Sequence, residues 1–401
     1  MRRPEVFHAD RTGLQLITPP CPVYRACGGC QLQDVRYDDQ LQLKQRWLTR
    51  LLTPFDPPQP IPIAAAPDPW RYRNRAELSF GSEGGALTLG YHAAGSFSRI
   101  VDIDDCLLLP ELVAHVSRSL RELAAATGLP AYYQGRHDGF FRHAVIRINR
   151  AMDQLLVMLV TAPGDPAVVE RLLQELRQRH PQIASAWWGM SEKLADIAVP
   201  DQLRLLAGAP TIADRIGPFQ LQIHPRVFLQ PSPAQAERLY DGLLELTEGV
   251  SGSTAWDLYC GMGLISLYLS RRYRRVYGID IDADNLALAR QNAQANGVTN
   301  AEFREGPAED VLADKRFWLL EAKPDLIVVD PPRSGLHERV ITSLLSARPK
   351  HIAYISCNPQ SLARDLAVLC RHFPRYRLAA ARAYDLFPKT RHLEALILLE
   401  R

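Results

Sequence analysis

The stretch Thr254-Ala-Trp-Asp-Leu-Tyr-Cys-Gly-Met-Gly263 runs directly into the apolar segment Leu264-Ile-Ser-Leu-Tyr-Leu-Ser270. The first part reads as a buried strand and the second as a helix. Gly261 and Gly263 stand between them, where the chain turns and backbone can approach a ligand beside the helix N-terminus. The same unit then recurs. RVYGID (275–280) reads as a strand and ADNLALARQNAQAN (283–296) as a helix. AEFRE (301–305), PDLIVVD (324–330) and HIAYIS (351–356) read as further strands, the last followed by the helix SLARDLAVLCRHF (361–373). Such alternation predicts a doubly wound, Rossmann-like parallel α/β sheet. The end of the chain breaks the pattern. RLAAARAYDLF (377–387) and HLEALILLER (392–401) are successive strands joined by a Pro-Lys-Thr-Arg turn, which predicts an antiparallel last strand.

Upstream, from about Trp70 to Leu206, the pattern is α+β. RNRAELSF, ALTLGYH, RHAVIRIN and QLLVMLVT read as short strands, and ELVAHVSRSLRELAAAT and AVVERLLQELRQRH as amphipathic helices. Five prolines between Pro54 and Pro62 form a linker, preceded by a helical pattern from Tyr37 to Leu52. Three units are expected: 1–55, 56–210 and 211–401. No internal repeat is visible.

Net charge is only +3, from 47 Lys and Arg against 44 Asp and Glu, so any nucleic-acid surface must be a local patch. No apolar run reaches the ~20 residues of a membrane span. MRRPEVFHAD is not followed by an apolar signal region, so a cytoplasmic, reducing location is expected. Seven cysteines there point to metal ligation or catalysis rather than disulfides.

Asp257 ends the first strand of the parallel unit and Asp280 the second, 23 residues later. An acidic residue at the second position suits a ribose diol, in NAD or in S-adenosylmethionine. A pyrophosphate fingerprint requires G-x-G-x-x-G/A, and its third position here is Ser266, which favours S-adenosylmethionine. Asp330-Pro-Pro-Arg333 follows the strand LIVV, so Asp257, Asp280, Asp330 and Cys357 are all expected at the carboxyl edge of the sheet.

Cys357 ends HIAYIS and opens Cys357-Asn358-Pro359, where a following helix N-terminus is expected to lower a thiol pKa. Cys370, in LAVLC, reads as a buried small hydrophobe, and Cys260 belongs to the glycine turn. Glu394, at the start of the last strand among apolar neighbours, has the character of a general base. A cysteine and a base in one pocket suit methylation of uracil C5. A thiolate added to C6 makes C5 nucleophilic, and a base then removes the C5 proton so that the thiol can leave.

Together, CPVYRACGGCQ, FLQP (228–231), DLYCGMG, DPPRSG, SCNP and FPKTRHLE resemble the bacterial RNA 5-methyluridine methyltransferases of the TrmA/RlmC/RlmD type. The resemblance runs from about Cys21 to the C-terminus. It implies a class I S-adenosylmethionine methyltransferase catalytic domain, with an α+β central domain that binds RNA and an N-terminal Fe–S segment. Carried across, Cys357 matches the nucleophile and Glu394 the general base. Gln230, Tyr259, Asp280 and Asp330 match cofactor-site positions, beside Gly261 and Asp257. The closest branch is the Fe–S-containing 23S rRNA one, without a TRAM domain.

Cys21, Cys27 and Cys30 have the C-x5-C-x2-C spacing and Cys106 is the distant fourth. By ligand chemistry alone the set suits an Fe–S cluster or zinc equally. The resemblance implies a [4Fe–4S] cluster. RNA is the expected partner, 23S rRNA before tRNA, with no membrane and no obligate protein partner. Arg71, Arg73 and Arg75 alternate in WRYRNRAEL and would share one strand face, as a phosphate-binding comb or a solvated edge. Arg136, His137, Arg142 and His143, near Phe140 and Phe141, form a second candidate patch.

Overall fold

The computed structural model describes residues 11–250, 252–314, 323–373 and 375–401. The C-terminal unit is built on an eight-stranded sheet. Its spatial order is Ile63–Ala64, Arg377–Tyr384, Glu394–Glu400, His351–Ser356, Leu326–Val329, Thr254–Leu258, Arg275–Asp280 and Ala301–Glu305. Glu394–Glu400 is antiparallel to both neighbours, as the succession of two terminal strands predicted. The other pairings are parallel. Leu326–Val329 is buried along its whole length, which is why it reads as an unbroken apolar run rather than an alternating one.

Local chemistry fixes the turns at the carboxyl edge. Asp282 caps the helix Ala283–Ala295, its side chain accepting from the backbone N–H groups of Asp284 and Asn285. Asn358 caps Pro359–Leu369 in the same way, with Pro359 in the first turn. Between Thr254–Leu258 and the helix Leu264–Ser270, Tyr259, Gly261 and Gly263 all have positive φ, of 66°, 52° and 85°. The glycines adopt this conformation freely, whereas for Tyr259 it is a costly one held by the turn.

The central unit is a seven-stranded sheet in the order Ile100–Asp102, Ala86–His92, Arg75–Glu83, Phe141–Ile148, Leu155–Thr161, Ile183–Met190 and Gln202–Gly208. Helices Glu111–Ala126 and Pro166–Arg179 cover one face through Val113, Leu120, Leu172 and Leu176. The other face does not end in solvent. Val145, Leu156 and Met158 share one apolar cluster with Leu239, Ala255 and Leu396, by way of the hairpin Ile212–Ile216/Phe219–Ile223. One continuous core thus sets the two sheets against each other.

The helix Tyr37–Leu52 buries Trp47, Leu48 and Leu52 against the C-terminal sheet. The chain ahead of it is stapled to the turn before the last strand. Gln31 and Leu32 donate their backbone N–H groups to the Lys389 carbonyl, each at 3.0 Å, and Lys389 donates its own to Gln40 Oε1 at 3.0 Å. Lys44, wholly buried, donates to Asp385 Oδ1 at 2.7 Å and to the Phe387 carbonyl at 3.1 Å.

Both expected basic patches come apart. The strand starts at Arg75, and Arg71 has φ 53°, so the period-two argument does not apply to 71–75. Arg71 is paired with Asp105 at 2.7 Å, Arg73 lines the cavity of the N-terminal cysteines, and Arg75 is paired with Glu77 at 2.8 Å. Arg142 and His143 are buried, because their strand is paired on both edges. Arg142 donates to the carbonyls of Ser191 and Ala195, both at 3.0 Å. Only Arg136 and His137 of that group are exposed.

Candidate active site

A cavity of about 520 Å3 opens at the carboxyl edge of the C-terminal sheet. Gln230, Tyr259, Gly261, Asp280, Asp330, Cys357 and Glu394 all line it. Of the expected residues of this pocket only Asp257 is absent from the lining. It lies wholly buried beneath the glycine turn, where Ser266 donates its hydroxyl to Asp257 Oδ2 at 2.6 Å. Desolvation pushes the Asp257 carboxyl up to about 8, against the Ser266 hydrogen bond, and the Asp330 charge adds to the rise. Asp257 supports the turn from below.

The turn itself hangs on Asp280. Its Oδ2 accepts from the Gly261 N–H at 2.8 Å, and its Oδ1 from the Asp282 N–H at 2.9 Å. Asn285 Nδ2 also donates to Oδ1, at 3.4 Å; a carboxylate has about four lone-pair sites, so Asp280 can hold the turn and still accept from a ribose hydroxyl. Gln230 arrives from the other side of the cleft. Its carbonyl accepts from Asn74 Nδ2 at 3.1 Å, and the Asn74 N–H donates to the Pro231 carbonyl at 2.9 Å. Asn74, just ahead of a central-sheet strand, therefore fixes FLQP; no motif marks it in the sequence.

The strand register brings the thiol and the carboxylate together. Ser356 pairs with Ala395 across the antiparallel ladder. The ladder ends there: Cys357 is the next residue of one strand's chain and Glu394 the one before Ala395 on the other, and both line the cavity, near enough for the Glu394 charge to act on the thiol. Glu394 is fully buried, and neither carboxylate oxygen has a hydrogen-bond partner among the described residues. Desolvation raises its pKa well above the ordinary carboxyl value; Asp330 adds to this and Arg333 opposes it. Desolvation also lifts Asp330, to about 7.

For Cys357 the expectation of a depressed pKa is overturned. Burial pushes the thiol up to about 12, the Glu394 and Asp330 charges add to this, and Arg333 pulls the other way. The helix end is outweighed by two carboxylates that its own segment does not reveal. Cys260 also lines the cavity, but desolvation raises its pKa well above the ordinary thiol value.

Arg333 and His392 complete the mouth of the cavity and were not among the expected site residues. Arg333 donates to His392 Nδ1 at 2.7 Å, and its carbonyl accepts from Asn358 Nδ2 at 2.9 Å. Burial and the neighbouring guanidinium hold His392 neutral, with a pKa lowered to about 3. The DPPR loop is thereby tied to the residue after Cys357 and to the chain leading into Glu394. DPPR and HLE were legible as motifs, but the Arg333–His392 contact depends on the fold.

A second cavity, of about 30 Å3, is lined by Cys21, Cys27, Cys30 and Cys106 together with Arg73 and Tyr91. Desolvation raises the thiols of Cys27 and Cys30, and that of Cys106 to about 11, while Arg73 opposes each. The donor set is soft and lines one cavity, and the half-buried guanidinium of Arg73 is at hand to offset thiolate charge. Even so, among the described residues no three His, Cys, Asp or Glu side chains stand close enough to hold a metal ion. No helix among the described residues is long and apolar enough to cross a membrane.

A glycine turn hung on an acidic strand end, at the carboxyl edge of a sheet with an antiparallel last strand, is the architecture of a class I S-adenosylmethionine methyltransferase. The tRNA (uracil-5-)-methyltransferase family model matches residues 211–401. An RNA methyltransferase of Halalkalibacterium halodurans is 34% identical over 96% of this chain and 83% of its own. Another, from Chlorobaculum tepidum, is 32% identical over 96% and 83%. The crystal structure of Pyrococcus abyssi tRNA (uracil-54, C5)-methyltransferase with S-adenosyl-L-homocysteine superposes with a TM-score of 0.75 at 28% identity, covering 92% of this chain and 85% of that one. The chain belongs to the RNA uracil-5-methyltransferase family of the TrmA/RlmC/RlmD type.

Proposed function

We propose that the protein methylates C5 of a uridine in RNA through a covalent bond between Cys357 and uracil C6, with Glu394 as the general base. The observation that carries this is that Cys357 and Glu394, each one residue beyond the last pair of a shared ladder, line one cavity with Asp280 and Asp330. S-adenosylmethionine supplies the electrophilic methyl group. Cys357 gives its proton to Asp330, which leaves Glu394 free for the later step, and adds to C6, while the electron pair of the C5–C6 bond moves towards the ring carbonyl. C5 would then take the methyl group from the sulfonium sulfur, whose S–CH3 bond breaks to leave S-adenosylhomocysteine. Glu394 removes the C5 proton, the C5–C6 double bond re-forms, and the Cys357 sulfur leaves. Asp330, with a pKa near neutrality, can donate or accept at the edge of the base. Gln230, Tyr259, Gly261 and Asp280 hold the cofactor, with Asp257 beneath the turn.

The target is proposed to be 23S rRNA and the location cytoplasmic, with no obligate protein partner. A tRNA uridine is the second reading, favoured by the tRNA enzyme from Pyrococcus abyssi. Methyl transfer to rRNA and to tRNA from a strain lacking the gene, followed by nucleoside analysis, tests both. The expected product is 5-methyluridine in rRNA. 5-Methylcytidine would move the chemistry to cytosine, and the absence of any product would leave a non-catalytic RNA-binding protein.

Asp280→Ala is expected to weaken S-adenosylmethionine binding by roughly 1.5–3 kcal/mol, about 10- to 150-fold, through loss of a charge-assisted bond. Calorimetry should show this with RNA affinity unchanged. Equal cofactor affinity would remove Asp280 from the ribose.

We also propose that Cys21, Cys27, Cys30 and Cys106 hold a [4Fe–4S] cluster. The support is their convergence on one cavity with soft donors. Anaerobically purified protein is expected to absorb in the visible Fe–S region, and Cys27→Ser or Cys106→Ser to lose that absorbance. Colourless protein with stoichiometric zinc would contradict the assignment.

A further inference from the structure

The active-site cavity has neighbours. His392 lines its mouth, and Arg391, the preceding residue, lines a depression of about 630 Å3 shared with Arg25 and His92. His92 in turn lines a third cavity, of about 130 Å3, on the central sheet. The three succeed one another through adjacent or shared residues, from the reacting groups to the central unit.

The third cavity combines flat rings with hydrogen-bonding groups. Phe97, on its rim, is 94% exposed. The Tyr132 ring lies 4.2 Å from the Arg142 guanidinium, itself fixed by two backbone carbonyls. Asp196, in the same lining, stands between two histidines, 3.1 Å from His92 Nε2 and 3.2 Å from His143 Nε2. Exposed π-faces beside polar edge groups are what proteins use to seat unstacked bases of single-stranded RNA. The approach is basic. Arg25 and Arg391 both line the depression; Arg25 is paired with Asp34 yet largely exposed, and Arg391 has no ion-pair partner among the described residues.

We propose that a second nucleotide of the RNA, distinct from the target uridine, seats its base in this cavity against Phe97 and Tyr132. Its backbone crosses the depression between Arg25 and Arg391. This rests on the reading of RNA as the substrate and adds a site that helps select which RNA segment reaches Cys357.

The test uses the full-length protein and a labelled single-stranded 15-mer oligouridylate, read by fluorescence anisotropy, with methyl transfer to bulk rRNA measured in parallel. Phe97→Ala is expected to weaken binding roughly 5- to 100-fold, the range for loss of one base–aromatic stack. Cofactor affinity should be unchanged. Phe373→Ala removes a ring that is 73% exposed and lies outside the three cavities, and should leave RNA affinity intact. If Phe97→Ala binds as wild type does, the subsite is overturned, and the ring serves another partner such as a protein. Equal losses in both variants would also overturn it. A wild-type protein that neither binds nor methylates RNA defeats the functional reading itself, a different result.

Discussion

Replacing Glu394 by Gln is expected to stop the reaction after methylation and before release. The amide occupies the same buried place in the cavity shared with Cys357 but cannot accept the C5 proton. Addition to C6 and methyl transfer precede that step, so a methylated protein–RNA adduct should accumulate. It should run as a shifted band on a denaturing gel when RNA and S-adenosylmethionine are both supplied. Turnover should fall about 10²- to 10⁴-fold, the usual contribution of a positioned base. Cys357→Ala should abolish turnover and adduct alike, because the sulfur acts first. The wild-type pH profile follows from the same groups. A carboxyl raised by burial is protonated below its pKa and becomes a base above it. With Asp330 near 7 and Glu394 also raised, kcat/KM should climb as pH rises through neutrality. A flat profile from pH 6 to 8, or normal turnover by Glu394→Gln, would place the base elsewhere.

The second large effect concerns stability. Asp385→Ala leaves Lys44 buried with only the Phe387 carbonyl of its two acceptors. Both partners of the pair have no side-chain exposure, so water cannot take over. Breaking a buried pair on one side typically costs about 3–5 kcal/mol. The loss should appear as a lower urea midpoint, and activity should fall with it, because the turn held by Lys44 leads directly into Glu394. Replacing Lys44 by Met in the same chain should recover part of the loss, since the stranded charge is then gone. An unchanged midpoint in Asp385→Ala would show that the pair does not hold the N-terminal helix to the catalytic sheet.

What the sequence revealed was what periodicity and turn chemistry encode. The strand–helix alternation from Thr254 onward, the two terminal strands and the helix Tyr37–Leu52 were legible because each imposes a repeat on the chain. Ile63–Ala64, two residues that extend the C-terminal sheet from beyond the proline linker, carry no such repeat. The Arg71–Arg75 comb failed because alternation matters only within a strand, and the positive φ of Arg71 lies outside it. Asp257 was read as a pocket residue because it shares a strand end with residues that are, yet its side chain points beneath the turn to Ser266. The Cys357 pKa was misjudged for a related reason. Its own segment shows a helix N-terminus, while the carboxylates that oppose ionisation come from two other strands. That Cys357 and Glu394 meet in one cavity depends on how the two strands before and after them pair, which sequence motifs suggest only through family resemblance.

The claim on which the rest depends is that Cys357 bonds to the target base. RNA containing 5-fluorouridine tests it, because fluorine cannot leave from C5 as a proton does. Wild-type protein incubated with such RNA and S-adenosylmethionine should form a stable adduct. After protease and nuclease digestion, mass spectrometry should find one methylated fluorouridine nucleotide on the peptide containing Cys357, and none in Cys357→Ala. The same adduct on the peptide containing Cys260, or its persistence in Cys357→Ala, would contradict the account.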